Sequence, residues 1–152
     1  MIRNAKHLST LVALALVLLA QTALAADETI KNPKANSAEA TIEAAFKAAL
    51  KNDFDAYLET IHPEHKETTD QRNQRKSYEW KRFTTQVKWY LVSESPITFV
   101  VARRVPEDKY IKIFVKDQKN KDRMPVPVTL KKDGDGWKIQ TSSLSRLHFL
   151  LL

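Results

Sequence analysis

The stretch VTLKKDGDGWKI, residues 128–139, predicts a β-hairpin and thereby decides how the C-terminal half of the chain folds. Apolar and polar residues alternate on both sides of Asp-Gly-Asp-Gly, and a period of two is typical of half-buried strands. The stretch holds both glycines of the chain, Gly134 and Gly136. We predict that these glycines supply the positive φ angles of a tight turn. A phosphate-cradling loop is disfavoured, because no P-loop spacing surrounds the glycines and no helix follows them.

Strand patterns fill the region before this hairpin. The predicted strands are VKWYLVSES (87–95), ITFVVARRV (97–105), KYIKIFVKD (109–117), MPVPVTLKK (124–132) and GWKIQT (136–141). Proline cannot donate to a strand ladder, so Pro125 and Pro127 indicate an edge strand or a strand end. The positions expected to face inward carry no titratable group: Ile111, Ile113, Val115, Val126, Val128, Leu130, Trp137 and Ile139.

Helical patterns precede the strands. An apolar stripe with helical spacing predicts a helix over 37–52, capped by Asn36 or Ser37 and ended by Asn52. Asp53 caps a second predicted helix over 54–62, which Pro63 stops. A third helix is predicted over 70–84. The stripe of the first helix comprises Ile42, Ala45, Phe46, Ala49 and Leu50, and the inward residues of the second are Phe54, Tyr57, Leu58 and Ile61.

Helices followed by a meander of strands predict an α+β fold, in which N-terminal helices pack on a curved antiparallel sheet of four to five strands. We expect a single α+β domain over 37–144. A flexible leader over 26–36 precedes it, because that segment has little apolar content. An apolar tail over 145–152 follows, which we expect to be packed.

The first 25 residues have the pattern of a secretory signal peptide. Arg3 and Lys6 precede an apolar run, and Ala23-Leu24-Ala25 is typical of a cleavage site. We therefore expect cleavage after Ala25 and an exported protein, periplasmic or secreted. An uncleaved anchor helix is the less favoured alternative. No second apolar run is long enough to span a membrane, so none is expected after cleavage.

The charge and the cysteine content of the chain limit the classes of partner and site that can be expected. Loss of Arg3 and Lys6 with the signal peptide lowers the formal charge from +7 to +5. This moderately basic balance favours an acidic protein or surface as a partner, and no nucleic acid is expected. The chain has no cysteine, which excludes disulfides, thiolate metal sites and a cysteine nucleophile. No cofactor is expected.

The helix AFKAALKNDFDAYLETIHPE and the closing VTLKKDGDGWKI together resemble the nuclear transport factor 2-like superfamily, with its cystatin-like cone. The resemblance covers roughly residues 37–142 and is closest to small exported bacterial members. It implies a curved sheet around a long helix, with space for a pocket between them. Some relatives are isomerases, dehydratases or cyclases and many are binding or accessory domains, so the fold alone does not assign a function.

Candidate catalytic residues are sparse. Enzymes of this superfamily place Asp, His or Tyr inside the cone, which makes His62, His65, Tyr57 and Asp70 the candidates here. The spacing His62-Pro-Glu-His65 does not put two rings on one helix face, so no metal site is expected. The favoured interpretation of this segment is a polar loop that closes a helix at Pro63.

Aromatic and basic residues offer other sites. An apolar pocket for a small ligand would be lined by Tyr78, Trp80, Phe83, Trp89 and Trp137, although such residues more often form the core. Arg103 and Arg104 could clamp an anion, but a solvated strand end is favoured. The alternating charges of 116–124 suggest an exposed loop and a weak anion site.

Three classes of function remain open: an exported binding or accessory domain, which we favour, a cone-pocket enzyme acting on a small apolar substrate, and an interaction module that uses the sheet face. The strand 97–105 is apolar on both faces, which favours cover on both faces. We therefore predict a homodimer through the outer sheet face, with Phe99, Tyr110, Lys112 and Phe114 at the interface.

Overall fold

Six antiparallel strands form one sheet with helices packed on one face, in a computed structural model that describes residues 27–65 and 68–145 without the side chains of His65 and Gln71. The predicted α+β class is confirmed. The expected signal peptide and the tail beyond residue 145 lie outside the described residues. No helix within the described ranges is long and apolar enough to cross a membrane.

The strands follow the chain as a meander with one early addition. They are β1 (Glu28–Lys31), β2 (Leu91–Glu94), β3 (Ile97–Glu107), β4 (Tyr110–Val115), β5 (Val126–Asp133) and β6 (Gly136–Ser142). Their order in the sheet is β1-β3-β4-β5-β6, and β2 pairs with the first residues of β3. The sheet therefore has one strand more than the four to five expected.

The additional strand comes from the segment expected to be a flexible leader. In β1, Ile30 pairs with Phe99 of β3 and is buried. Arg104 of β3 forms an ion pair with Glu28 at 2.6 Å. The prediction of a flexible leader is wrong for these residues, because one apolar side chain and a free strand edge suffice to order them.

The first helix, α1 (Ala38–Lys51), has the predicted caps. Ser37 Oγ accepts a hydrogen bond from the Ala40 amide at 3.1 Å, and Asn52 ends the helix in the left-handed conformation with φ = 53°. Asparagine tolerates this conformation better than most residues, which is why it ends the helix well.

The second helix, α2 (Phe54–Glu59), is shorter than predicted. Asp53 caps it by accepting from the Ala56 amide at 3.0 Å. Thr60 still has helical backbone angles, and Ile61 then forms a parallel bridge with β6: the Ile139 amide donates to the Thr60 carbonyl, and the His62 amide donates to the Ile139 carbonyl. The predicted helix over 54–62 therefore ends early, because these strand bonds replace its last turn.

The third predicted helix is present and longer than expected. It consists of α3 (Thr69–Gln74), a π-helical segment (Arg75–Trp80) and α4 (Lys81–Gln86), followed by a 3-10 turn (Val87–Tyr90). The 3-10 turn takes the first four residues of the predicted strand 87–95, so β2 begins only at Leu91.

Aromatic side chains fill the space between the helices and the sheet. Phe46 of α1 contacts Phe99 edge-on at 5.3 Å and stacks with Tyr90 at 6.5 Å between ring centroids. Tyr57 of α2 lies 4.9 Å from Trp80. These five side chains are buried, so the space between the helices and the sheet is a packed core.

The hairpin predicted over residues 128–139 is confirmed, with one correction. Asp133 pairs with Gly136, and Gly134 has φ = 57°. Glycine at the first central position is typical of a type II′ turn. Gly136 begins β6 without a positive φ, so only one of the two glycines has the predicted conformation.

The two prolines do not make β5 an edge strand, because it lies between β4 and β6. Pro127 is its second residue, and the Pro127 carbonyl accepts from the Ser143 amide just beyond β6. A residue's N and C=O point to the same strand edge, so the missing N–H costs no bond to β4. The strand-end alternative is the one observed.

Candidate functional site

A groove of about 570 Å3 lies between α1, α2 and the β5–β6 hairpin. We call it the hairpin groove. Its lining includes Ala40, Thr41, Ala44, Ala56, Glu59 and Trp137.

Small side chains give the hairpin groove its depth. Ala40 and Ala44 are one turn apart on α1, and Ala56 lies on α2. Larger residues at these positions would fill the space that the groove occupies. The groove therefore follows from the alanine-rich sequence of the helices.

Trp137 forms one wall of the groove and has one contact to its backbone and one to its indole ring. The Thr41 hydroxyl donates to the Trp137 carbonyl at 2.8 Å, which ties α1 to β6. The Lys132 ammonium lies 5.4 Å from the centre of the indole ring. The indole is partly exposed, so it can contact a ligand on its remaining surface.

The rim of the hairpin groove is mainly acidic. Glu59, Asp133 and Asp135 line it, and Lys138, the one lysine among the described lining residues, donates to the Glu59 carbonyl. The chain has a formal charge of +7, so this negatively charged rim is opposite in sign to the protein as a whole. It disfavours an anionic ligand in this groove and suits a neutral or positively charged one.

The five aromatic residues predicted to line one pocket do not lie together. Trp80 and Phe83 belong to the core, whereas Tyr78 is 66% exposed. Trp89 is partly exposed and lies beneath the Lys119 ammonium at 4.3 Å. Trp137 alone of the five lines the hairpin groove. Trp80 and Phe83 pack on each other in the core, with ring centroids 6.2 Å apart, whereas Tyr78 is turned toward solvent, so proximity in sequence did not bring the three to one cavity.

The four catalytic candidates are also separated. Tyr57 is buried in the aromatic core, and Asp70 is exposed in the first turn of α3. His62 is buried beside β6, where its Nδ1 accepts from the Glu64 amide at 3.3 Å and lies 3.7 Å from the Glu64 carboxylate. The side chain of His65 lies outside what the structure describes. Within residues 27–65 and 68–145, no three His, Asp or Glu side chains are grouped as metal ligands.

A buried polar cluster occupies the loop that was predicted to be an exposed, weak anion site. Asp117 is 2% exposed and accepts from the amides of Lys119 and Asn120 at 2.8 and 2.9 Å. Arg123 lies 3.7 Å from its second oxygen. The carboxylate of Asp117 is buried, and Arg123 forms an ion pair with it. Because this arginine is already paired with a carboxylate, the prediction of an anion site is wrong for Arg123.

Tyr90 lies close to this cluster and is fully buried. Burial, followed by the negative charge of Asp117, raises the pKa of Tyr90 to about 12. The hydroxyl accepts and donates no hydrogen bond among the described residues. A phenol with such a pKa stays protonated at neutral pH and is poorly suited to act as a base.

The two arginines of β3 have separate roles. Arg104 forms ion pairs with Glu39 of α1 and Glu28 of β1 at 2.5 and 2.6 Å. Burial lowers the pKa of Arg104, but its hydrogen bonds to both glutamates outweigh this, and the pKa is raised. Arg103 instead lies over the ring of Phe114 at 3.9 Å. The structure does not place the two guanidinium groups as one clamp.

The predicted interface residues divide between the two faces of the sheet. Phe99 is completely buried beneath α1, so it cannot belong to an outer surface, and that part of the prediction is wrong. Tyr110 and Phe114 lie on the outer face, in register with Lys131 and Pro127. Lys112 lies between them and forms an ion pair with Glu107 at 3.6 Å.

Comparison with the models of known protein families, with curated proteins and with solved structures finds no match to this chain.

Proposed function

We propose that this chain is an exported binding domain that holds a small, largely apolar ligand in the hairpin groove. The observation that carries the proposal is the groove itself, with an indole wall and an alanine floor. An apolar ligand would cover Trp137 and displace water from Ala40, Ala44 and Ala56.

We also propose that the chain has the cystatin-like cone of the nuclear transport factor 2-like superfamily. The resemblance to the nuclear transport factor 2-like superfamily rests on the helix pattern and the closing hairpin, and a cystatin-like cone is compatible with helices packed on one face of an antiparallel sheet. Because aromatic side chains fill the space beneath the helices, the ligand would sit at the end of the cone, beside the hairpin. The proposal that the protein is exported rests on the signal-peptide pattern of residues 1–25.

Binding is favoured over catalysis because titratable groups near the groove lack the usual arrangement of an acid–base pair. Glu59 borders the groove but is exposed, and Asp133 and Asp135 lie on an exposed turn. A general base is usually tuned by burial or by a specific charge partner. The three carboxylates of the rim are all exposed, so we assign them to solubility and ligand selection.

A fluorescence titration tests the proposal. The neutral dye N-phenyl-1-naphthylamine should show saturable binding, because it is flat, apolar and uncharged. Ala44→Leu should abolish or strongly weaken binding, since the leucine side chain would occupy the groove. Saturable binding by wild type together with undiminished binding by Ala44→Leu contradicts the assigned site.

Lys47→Leu is the matched control. Residue 47 lies on the same helix and is exposed, but it is not part of the groove lining. Both variants therefore add one leucine to the surface of α1, and only one of them fills the groove. Equal loss of dye binding in both variants would show that the dye responds to surface changes in general.

A further inference from the structure

A second groove, of about 790 Å3, lies on the helical side of the molecule, between the α1–α2 junction and the π-helical segment. Its lining includes Lys51, Phe54, Lys76, Trp80 and Lys81. We call it the lysine groove. We propose that the lysine groove binds a phosphate group.

The charges of the groove support an anionic ligand. Lys51, Lys76 and Lys81 are exposed and form no ion pair with any residue in the described part of the chain. Two carboxylates also line the groove, and both already have partners. Asp53 caps α2 through the Ala56 amide, and Asp55 forms an ion pair with Arg72 at 2.5 Å.

The balance of charge is therefore positive. Arg72 compensates Asp55, so three ammonium groups face one uncompensated carboxylate in the lining. Like charges that share a groove repel one another, and a bound anion relieves this repulsion. The hairpin groove, with its acidic rim, has the opposite preference.

The π-helical winding explains why two of these lysines meet. Lys76 and Lys81 are five positions apart, and in an α-helix at 100° per residue they would point about 140° away from each other. In a π-helix the hydrogen bonds run from i to i+5, so residues five apart lie nearly one above the other. Consistent with this winding over Arg75–Trp80, Lys76, Trp80 and Lys81 all line the lysine groove.

The type of residue favours phosphate over carboxylate. Arginine binds a planar carboxylate through two parallel hydrogen bonds, but Arg72, whose guanidinium lies 5.9 Å from the ring centre of Phe54 in the lining, is occupied by Asp55. Lysine acts as a point charge, and several lysines can each contact a different oxygen of a tetrahedral phosphate. Phe54 and Trp80 are buried except for small exposed parts that line the groove, and the carrier of the phosphate would pack against these apolar parts.

The test is a titration with inorganic phosphate, followed by amide shifts in NMR spectra at constant ionic strength. Wild type should show saturable shifts centred on residues 76–81. The double variant Lys76→Gln/Lys81→Gln should bind at least about tenfold more weakly, because each lysine supplies a charge-assisted contact. The replaced side chains are exposed, so the variant should keep its fold, which the dispersion of the same spectra verifies.

The control is Lys47→Gln/Lys121→Gln, which removes the same charge from exposed positions outside the groove. It should bind phosphate like wild type. An equal loss in both double variants, or no saturation in wild type, overturns the proposal, because binding would then follow net charge alone.

Sedimentation with vesicles distinguishes the sources of the phosphate. Phosphatidylcholine vesicles containing phosphatidylglycerol, compared with vesicles of phosphatidylcholine alone, test a lipid headgroup. Co-sedimentation with the anionic vesicles that Lys76→Gln/Lys81→Gln abolishes assigns the site to a headgroup. Saturable phosphate binding without co-sedimentation assigns it to a soluble phosphate-bearing ligand. Co-sedimentation that survives the double substitution counts against the groove.

Discussion

The hydroxyl of Thr41 donates a hydrogen bond to the carbonyl of Trp137 at 2.8 Å, across 96 positions of sequence. This single bond joins the first helix to the last strand, and it forms one side of the hairpin groove. The helix and the strand that shape the groove are therefore held at a defined separation. Changes at this bond should affect both the stability of the fold and the shape of the groove.

Thr41→Val should lower the free energy of unfolding by about 1 kcal/mol, since it leaves a half-buried carbonyl without its donor. Chemical denaturation measures the change. Thr85→Val is the control, because the Thr85 hydroxyl is exposed and, among the described residues, bonds only to the carbonyl of Lys81 in its own helix. A loss in Thr85→Val as large as in Thr41→Val would contradict the role of the long-range bond.

Gly134→Val should destabilise the protein by about 1–2 kcal/mol, because a β-branched residue would have to adopt a positive φ. Space is not the cause, since a Cβ at residue 134 would meet no atom within 4 Å. Gly136→Val should have a much smaller effect, because residue 136 begins a strand without a positive φ. Thermal unfolding that ranks the two variants in the opposite order would refute the turn assignment.

Ile30→Ala tests whether the N-terminal strand contributes to the folded state. Ile30 is buried against Phe99, so the substitution should cost about 2 kcal/mol in the free energy of unfolding. Thr29→Ala changes the neighbouring exposed residue of the same strand and should stay within about 0.5 kcal/mol of wild type. If both variants unfold like wild type, β1 does not contribute to stability.

Tyr90→Phe should preserve or increase stability at neutral pH, because it removes a buried hydroxyl that has no hydrogen-bond partner among the described residues. The pKa of Tyr90 is raised from 10.0 to about 12, so the folded state keeps the proton longer than the unfolded state. This contribution to stability is complete below pH 10 and is lost as the pH rises toward 12.

Denaturation of wild type and Tyr90→Phe between pH 8 and pH 12 measures the effect, with the upper limit placed at the raised pKa. The advantage of Tyr90→Phe should grow with pH, because phenylalanine has no proton to lose. Parallel stability curves for the two proteins would show that Tyr90 does not titrate differently in the folded state.

Dimerisation through the outer sheet face stays a prediction. Phe99 is buried and leaves the predicted interface, and Arg103, which lies over Phe114 on the outer face, joins it. Light scattering at micromolar concentration should report a dimer that becomes monomeric in Tyr110→Glu/Phe114→Glu. Both residues are only partly buried in the single chain, so the double variant should fold. A monomeric wild type would reject the prediction, and the stacking of Arg103 on Phe114 would then be sufficient cover for that ring.

Local signals explain what the sequence could predict. The caps Ser37, Asn52 and Asp53 act on neighbouring amides, so their residue types identify the ends of α1 and the beginning of α2. The Asp-Gly turn likewise contains the information for the β5–β6 hairpin. These elements needed no knowledge of distant residues.

The elements that were missed depend on distant partners. β1 has one buried apolar residue, and its order comes from pairing with β3 about seventy positions away. The bridge that Ile61 forms depends on Ile139 in the same way. The π-helical segment has no distinctive composition, and without it Lys76 and Lys81 could not be placed on one face.

The candidate site was predictable only in part for the same reason. Trp137 was selected as a pocket residue and lines the hairpin groove, but its partners in the groove are alanines and threonines of the first two helices. Small residues on a helix carry no signal for a binding site until the helix is packed. The sequence pointed to aromatic residues, and most of those fill the core.

The parallel pairing of residues 60–62 with β6 also bears on aggregation. A terminal strand with unpaired amides and carbonyls is a template for joining the sheets of two molecules. Here the bond from the Ile139 amide to Thr60 covers the outer edge of β6 at its centre. At the other end of the sheet, β1 is four residues long, carries Glu28 and Lys31, and is followed by Pro33. Both terminal strands are thus poor templates for adding a strand from another molecule. Copies of this chain should therefore associate through their sheet faces instead of their edges. We expect the protein to form no fibres at concentrations where a sheet with open edges would do so.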